Sequence, residues 1–212
     1  MTETILLKIR EHLRDNIISY ILLCVSFALG VIFGGYILNT YSMEDANGLI
    51  SFFNDAKDLF AKNTPDYNLI FKNTFLSSLK TVFFVWILGF TVAGLPVIFF
   101  INSKIGFMLG FVSSFLFSYY SYKGILMTVI LTFSQCFVYI PVVFAVSSYA
   151  ISLAFTLTKM LFGKIRYKMN LKYYILNYCL VLAVSVVVLI LYSLLESYLT
   201  ANLFMLISQK LT

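Results

Sequence analysis

The chain has 212 residues, 61% of them hydrophobic and 11% charged, where an ordinary soluble domain carries about 25% charged residues. No formal charge lies between Asp15 and Glu44, or within 81–103, 105–122, 124–158 and 173–195. A water-soluble globule of this size cannot hide so much apolar surface, which excludes a soluble enzyme, a DNA-binding domain and a disulfide-rich secreted module and predicts an all-α, polytopic helical membrane protein.

Residues 1–16 form a charged tail carrying Lys8, Arg10, Glu11, Arg14 and Asp15, with His12 read as solvated. A bilayer core takes about 20 apolar helical residues, and 17–38 satisfies this as span 1. Its apolar stretch is longer than the core of a signal peptide, and no small-residue cleavage site follows it, so it reads as a permanent span. Gly30 and Gly34, with Gly35 adjoining, form a small-xxx-small pair. Such a pair serves close packing within the chain or the interface of a homo-oligomer.

Residues 39–80 are the one sizeable polar segment and read as two short amphipathic helices. Ser42 caps the first, with Asp45 in the capping-box position. Leu49, Phe52, Phe53, Ala56, Leu59 and Phe60 then recur at helical spacing. Leu49, Phe52, Phe53, Leu59 and Phe60 are the candidate partner face. A face of this kind lies on membrane lipid, covers its own bundle or receives a partner. Thr64-Pro65-Asp66 is the second start signal, a cap followed by proline at the first helical position. The stripe of Tyr67, Ile70, Phe71, Thr74 and Phe75 leads into span 2 at 81–103.

Gly89, Gly94 and Pro96 make a weak point in that span, because glycine and proline both disfavour a continuous helix. Asn102, Ser103 and Lys104 read as a tight hairpin leading to span 3 at 105–122, where Gly106 and Gly110 form a second GxxxG. Span 4 occupies 124–158; its 35 residues would be roughly 52 Å long as one helix. Pro141 predicts a kink near its middle, and 141–158 either completes the crossing or is partly re-entrant. Ser134 and Gln135 are expected to satisfy the carbonyls freed there. The basic loop 159–172 follows, with Lys164, Arg166 and Lys168 as a patch suited to anionic lipid or a cytoplasmic protein. Span 5 runs over 173–195, and 196–212 is an external tail. Cys24, Cys136 and Cys179 all lie in apolar runs without metal-site spacing and read as small hydrophobes.

Positively charged residues favour the cytoplasmic side. If 124–158 crosses once, nine cations lie inside and six outside; if it crosses twice, five lie inside and ten outside. The count favours about five transmembrane helices with the N-terminus in and the C-terminus out. It also assigns the net charge of +6 to orientation, with no nucleic-acid partner. No ionisable side chain lies well inside an apolar run, which disfavours a proton- or ion-coupled transporter. No nucleotide-binding loop or nucleophile–base pair is present either, so no catalytic, cofactor-binding or metal residue is expected.

Five stretches in order carry a family resemblance. They are HLRDNIISYILLCVSFALGVIFG at 12–34, WILGFTVAGLPVIF at 86–99, KIGFMLGF at 104–111, FVYIPVV at 137–143 and LLESYLT at 194–200. Together they resemble the stage II sporulation protein M family over nearly the whole chain. The resemblance implies a non-enzymatic scaffold for endospore formation. It would sit in the mother-cell membrane at the septum and around the engulfed forespore. Its partners there would be stage II sporulation proteins D and P, cell-wall degrading enzymes facing the outside. It carries over no catalytic residue; its glycine and proline positions fall at Gly89, Gly94, Pro96, Gly106 and Gly110 and read as structural. The competing reading is a permease-like subunit energised by a separate cytoplasmic ATPase docked on the basic loop.

Overall fold

The computed structural model describes residues 14, 16–38, 40, 47–51, 53–55, 65–161, 171–203 and 205. The main helices are α1 (Ile17–Leu38), α2 (Tyr67–Leu88), α3 (Gly94–Ser134), α4 (Ile140–Leu161) and α5 (Leu171–Leu194). Two π-helical stretches, π1 (Gln135–Tyr139) and π2 (Leu195–Thr200), continue α3 into α4 and extend α5. Residues 47–51 and 53–55 are also helical, and the described residues contain no strand. Three stretches are long and apolar enough to cross a membrane: Ile17–Leu38, Gly94–Met160 and Ile175–Leu203.

The second of these is two helices rather than one. Ser121 has φ 50° and ψ −130°, and the chain reverses there so tightly that a Cβ on Gly124 would lie 1.9 Å from the Leu116 carbonyl oxygen. Only a residue without a side chain fits against that backbone.

The most extensive helix pair is α1 with the first half of α3. Gly30 and Gly34 lie against the Ser103 and Phe107 carbonyls, while Gly106 and Gly110 lie against those of Phe27 and Val31, with added Cβ atoms falling at 2.0–2.2 Å. The two GxxxG pairs therefore face each other within one chain, which accounts for both as intramolecular packing. Residue numbers rise together along the contact, so the two helices run parallel. Ser26 adds a hydrogen bond, donating to the Phe99 carbonyl at 2.8 Å.

The α1–α4 and α2–α5 pairs run antiparallel, whereas α2 and α4 run parallel, the end of α2 at Gly89 meeting Ala150. Phe27 of α1 meets Phe144 of α4 edge-on. At one end of α2, Tyr67 stacks on Tyr198; at its other end, the Tyr178 hydroxyl donates to the Trp86 carbonyl at 2.7 Å. The common core includes Leu23, Val82, Val85, Ile98, Val143, Val146, Ile151 and Leu189. The perimeter is a belt of exposed apolar side chains, including Ile18, Ile32, Phe100, Phe137, Leu176 and Val187. Cys24, Cys136 and Cys179 are free and exposed.

Helix boundaries differ from the sequence reading in four places. The helix expected to begin at Thr64-Pro65-Asp66 is capped by Asp66, whose carboxylate accepts from the Leu69 amide at 3.1 Å; Pro65 precedes the cap. That helix is α2, and it ends at Leu88, not at 103. The chain turns through Gly89–Ala93, where a Cβ on Gly94 would lie 2.2 Å from the Leu88 carbonyl. Pro96 falls in the first turn of α3, where its missing N–H costs no helical bond. Finally, 102–104 is continuous helix instead of a hairpin. Asn102 is fully buried and donates to the Ile98 carbonyl and to Ser147 Oγ, at 2.8 and 3.0 Å. Its amide nitrogen thus finds both of its acceptors inside the bundle and has no need of a loop.

The glycine contact yields a stability prediction. Gly30→Ala forces a methyl group into the α3 backbone and should destabilise the protein by ~1–3 kcal/mol. Gly48→Ala, which meets nothing within 4 Å, should be neutral or stabilise by up to ~1 kcal/mol. Thermal unfolding in detergent micelles reads both; equal melting temperatures for Gly30→Ala and the parent protein would contradict the close-packed crossing.

Candidate functional site

A cavity of about 1200 Å³ with a mixed polar and apolar lining lies between α2, α3, π1 and π2. It exists because helices that are apolar elsewhere turn polar faces toward one another here. From α2 come Asn73, Thr74, Ser77, Ser78, Lys80 and Thr81; from α3, Lys104 and Thr132; from the π stretches, Gln135, Tyr139 and Glu196. Phe83, Phe84, Ile87, Val97, Phe100 and Met108 supply an apolar wall.

Both π stretches contribute to this lining. A π turn inserts one extra residue into a helix and is often found where function re-aims side chains. π1 lies immediately before Pro141, whose ring would clash with a carbonyl four residues earlier in a regular helix; the wider turn accommodates it. Ser134 and Gln135 do not serve that proline as expected. Ser134 is buried and donates to Glu196 Oε2, while Gln135 lines the cavity.

Glu196 was expected to end the last apolar run. Instead the helix continues through π2 to Leu203, and Glu196 is only partly exposed. Ser134 and Thr200 together solvate its carboxylate, Thr200 donating to Oε2 at 3.4 Å with the two hydroxyls 3.3 Å apart. A carboxylate withdrawn from water needs such donors to offset its desolvation.

The other sequence candidates separate. Gly106 and Gly110 meet α1, and Gly89 lies against Tyr178 and Ala150, where a Cβ would come within 2.3 Å of the tyrosine hydroxyl. Gly94 lies at the turn and Pro96 is exposed. Of the candidate partner face, Leu49 and Phe53 pack on the bundle's own cluster of Leu38, Phe115, Leu116 and Met127, with the Phe53 and Phe115 rings 4.9 Å apart. The Tyr120 hydroxyl donates to Asn54 Oδ1 at 2.9 Å beside them. That covered face is the self-packing alternative. Phe52, Leu59, Phe60, Lys164, Arg166 and Lys168 lie outside the described residues, as do Ser42, Asp45 and His12.

Lys80, Lys104, Gln135 and Glu196 are the site residues that the charge-gap reading passed over. One signal was present: runs 81–103 and 105–122 are separated by the single residue Lys104, too short a gap for a connection between antiparallel helices.

The model of the family described as stage II sporulation protein M matches residues 23–201. The chain belongs to that family. It is therefore a sporulation-related membrane protein of a family not known for enzymes. No curated protein and no solved structure matches the chain.

The Ser134–Glu196 contact is testable. Ser134→Ala should destabilise the protein by ~1–3 kcal/mol, because it strips a donor from a partly buried carboxylate. In a Glu196→Leu background the same substitution should cost much less, since the group it serves is gone. An equal loss in both backgrounds, measured by thermal unfolding in detergent, would show that the two side chains are not coupled.

Proposed function

We propose that this member of the family is a non-enzymatic membrane scaffold that gathers stage II sporulation proteins D and P at the septal and engulfing mother-cell membrane. The observation that carries the reading is the meeting of two segments at one end of the bundle. The start of α2 and the end of α5 are joined there by the Tyr67 hydroxyl donating to Asn202 Oδ1 at 2.7 Å and by the Tyr67–Tyr198 stack. Tyr67, at the start of α2, and Asn202, beyond π2, consequently lie at a common end of the bundle. Leu49, Ile50 and Phe53 pack near the Leu38 end of α1, which supports the same grouping.

The opposite ends of α4 and α5 flank the basic loop carrying Lys164, Arg166 and Lys168. With that loop inside, as positive residues prefer, the five helical crossings run N-terminus in and C-terminus out. Lys8, Arg10, Arg14, Lys159, Lys164, Arg166, Lys168 and Lys172 then lie inside, while Lys57, Lys62, Lys72, Lys123 and Lys210 lie outside. Placing Lys80 and Lys104 within the helices, at neither end, leaves that preference intact at eight to five. The common end faces outward, where wall-degrading enzymes work.

The test replaces residues 56–64 by a glycine–serine stretch of equal length in the full chain. Affinity purification from gently solubilised membranes of sporulating cells should then recover proteins D and P at least ~10-fold less, the scale of one lost interface anchor. The membrane level of the chain should not change. Undiminished recovery from this variant would remove the segment from the interface, and recovery of a cytoplasmic ATPase without either hydrolase from the parent protein would overturn the scaffold reading.

A further inference from the structure

The contacts of α3 fix the depth of the cavity's cations. Ser103 has its carbonyl against Gly30, in the middle third of α1, and Lys104 follows it directly in the same helix. Lys80 lies in the interior of α2, fourteenth of its 22 residues. Both lysines are exposed and both line the one cavity. Among the described residues neither has an ion-pair or hydrogen-bond partner. A lysine held near the centre of a bilayer costs about 2.5–3.5 kcal/mol when it lacks a counter-charge, so two cations facing one cavity create a strong demand for an anion. The cavity's single carboxylate, Glu196, is already bonded to Ser134 and Thr200.

The walls identify the kind of anion. Along α2 the lining changes from hydroxyls and amides at Asn73–Thr81 to phenyl and alkyl groups at Phe83–Ile87. Val97 and Phe100 of α3 extend the apolar part. A ligand matching both regions has an anionic, hydrogen-bond-accepting head and a hydrocarbon tail. The volume of about 1200 Å³ exceeds the roughly 300–1,000 Å³ typical of pockets for drug-sized molecules. It is far larger than an inorganic ion requires.

We propose that the cavity between α2, α3 and the two π stretches is a binding site for one anionic phospholipid. Lys80 and Lys104 hold its phosphate, the Ser77 hydroxyl donates to a phosphate oxygen, and its acyl chain lies along Phe84 and Phe100. The lipid neutralises the lysines and fills the gap between α2 and α3, coupling the composition of the surrounding membrane to the packing of the bundle. This inference is independent of the hydrolase partners and stands or falls separately from the scaffold reading.

The experiment uses the full-length protein in detergent, exchanged into micelles containing equal amounts of phosphatidylglycerol, phosphatidylcholine and a polyprenyl phosphate. Retained lipid is counted by native mass spectrometry. The expected result is one phosphatidylglycerol per chain, retained at least ~10-fold over phosphatidylcholine, a factor of 10 being 1.4 kcal/mol. The double variant Lys80→Gln/Lys104→Gln should lose that preference. It removes unpaired charges from the bundle, so its fold should persist, as checked by the melting temperature without added lipid. Met108→Trp, which narrows the cavity without altering charge, should also reduce retention. Lys72→Gln, on α2 but outside the lining, should retain the lipid as the parent does. Equal retention of the two phospholipids, an unchanged preference in the double variant, or an equal loss in Lys72→Gln would overturn the proposal. Preferential retention of the polyprenyl phosphate would overturn the assignment to a phospholipid.

Discussion

The arrangement of this bundle depends on the backbone-to-backbone contact of α1 with α3. Four glycines, Gly30 and Gly34 from one helix and Gly106 and Gly110 from the other, bring the helices so close that a methyl group at any of them would overlap a carbonyl oxygen. In lipid, no hydrophobic force draws helices together, because the surrounding chains are as apolar as leucine; close packing and polar contacts must do it. Glycine supplies the first. Asn102 bonding Ser147, Ser26 bonding the Phe99 carbonyl and Tyr178 bonding the Trp86 carbonyl supply the second.

That contact has a direct consequence for the charges. By drawing residues 103–110 into register with the middle of α1, it sets Lys104 level with the middle of that helix. There Lys104 shares a cavity with Lys80 and Glu196. The chain compensates with hydroxyls at one point, around Glu196, and leaves the two lysines facing a space that is polar on one side and apolar on the other. The site thus arises at the place where tight helix packing and lipid exposure impose opposite demands on the same side chains.

The bundle's two ends differ as well. At one end, Tyr67, Tyr198 and Asn202 join the start of α2 to the helix that extends α5, and Leu49, Ile50 and Phe53 pack on the neighbouring cluster. The other end holds the Gly89–Ala93 turn, packed by Tyr178 and Ala150. The cavity lies between the ends, and a lipid held there would touch α2 and α3 together.

Composition and charge spacing determined that the chain is all-helical and membrane-embedded, because apolar surface on this scale has no other solvent. Five ordered motifs determined the family, and glycine spacing announced close helix contact without naming the partner. Tertiary structure decided the rest. A gap in hydrophobicity marks a loop only if the polar residues in it have no partner elsewhere, and Asn102 has one in Ser147, forty-five positions away. The same holds for Glu196, whose partner Ser134 lies sixty-two positions earlier. The face of Leu49 and Phe53 is covered by Phe115 and its neighbours, a fact of three-dimensional packing that helical periodicity cannot report. Hydropathy is a local quantity, whereas the energy of a buried polar group depends on what the fold places opposite it.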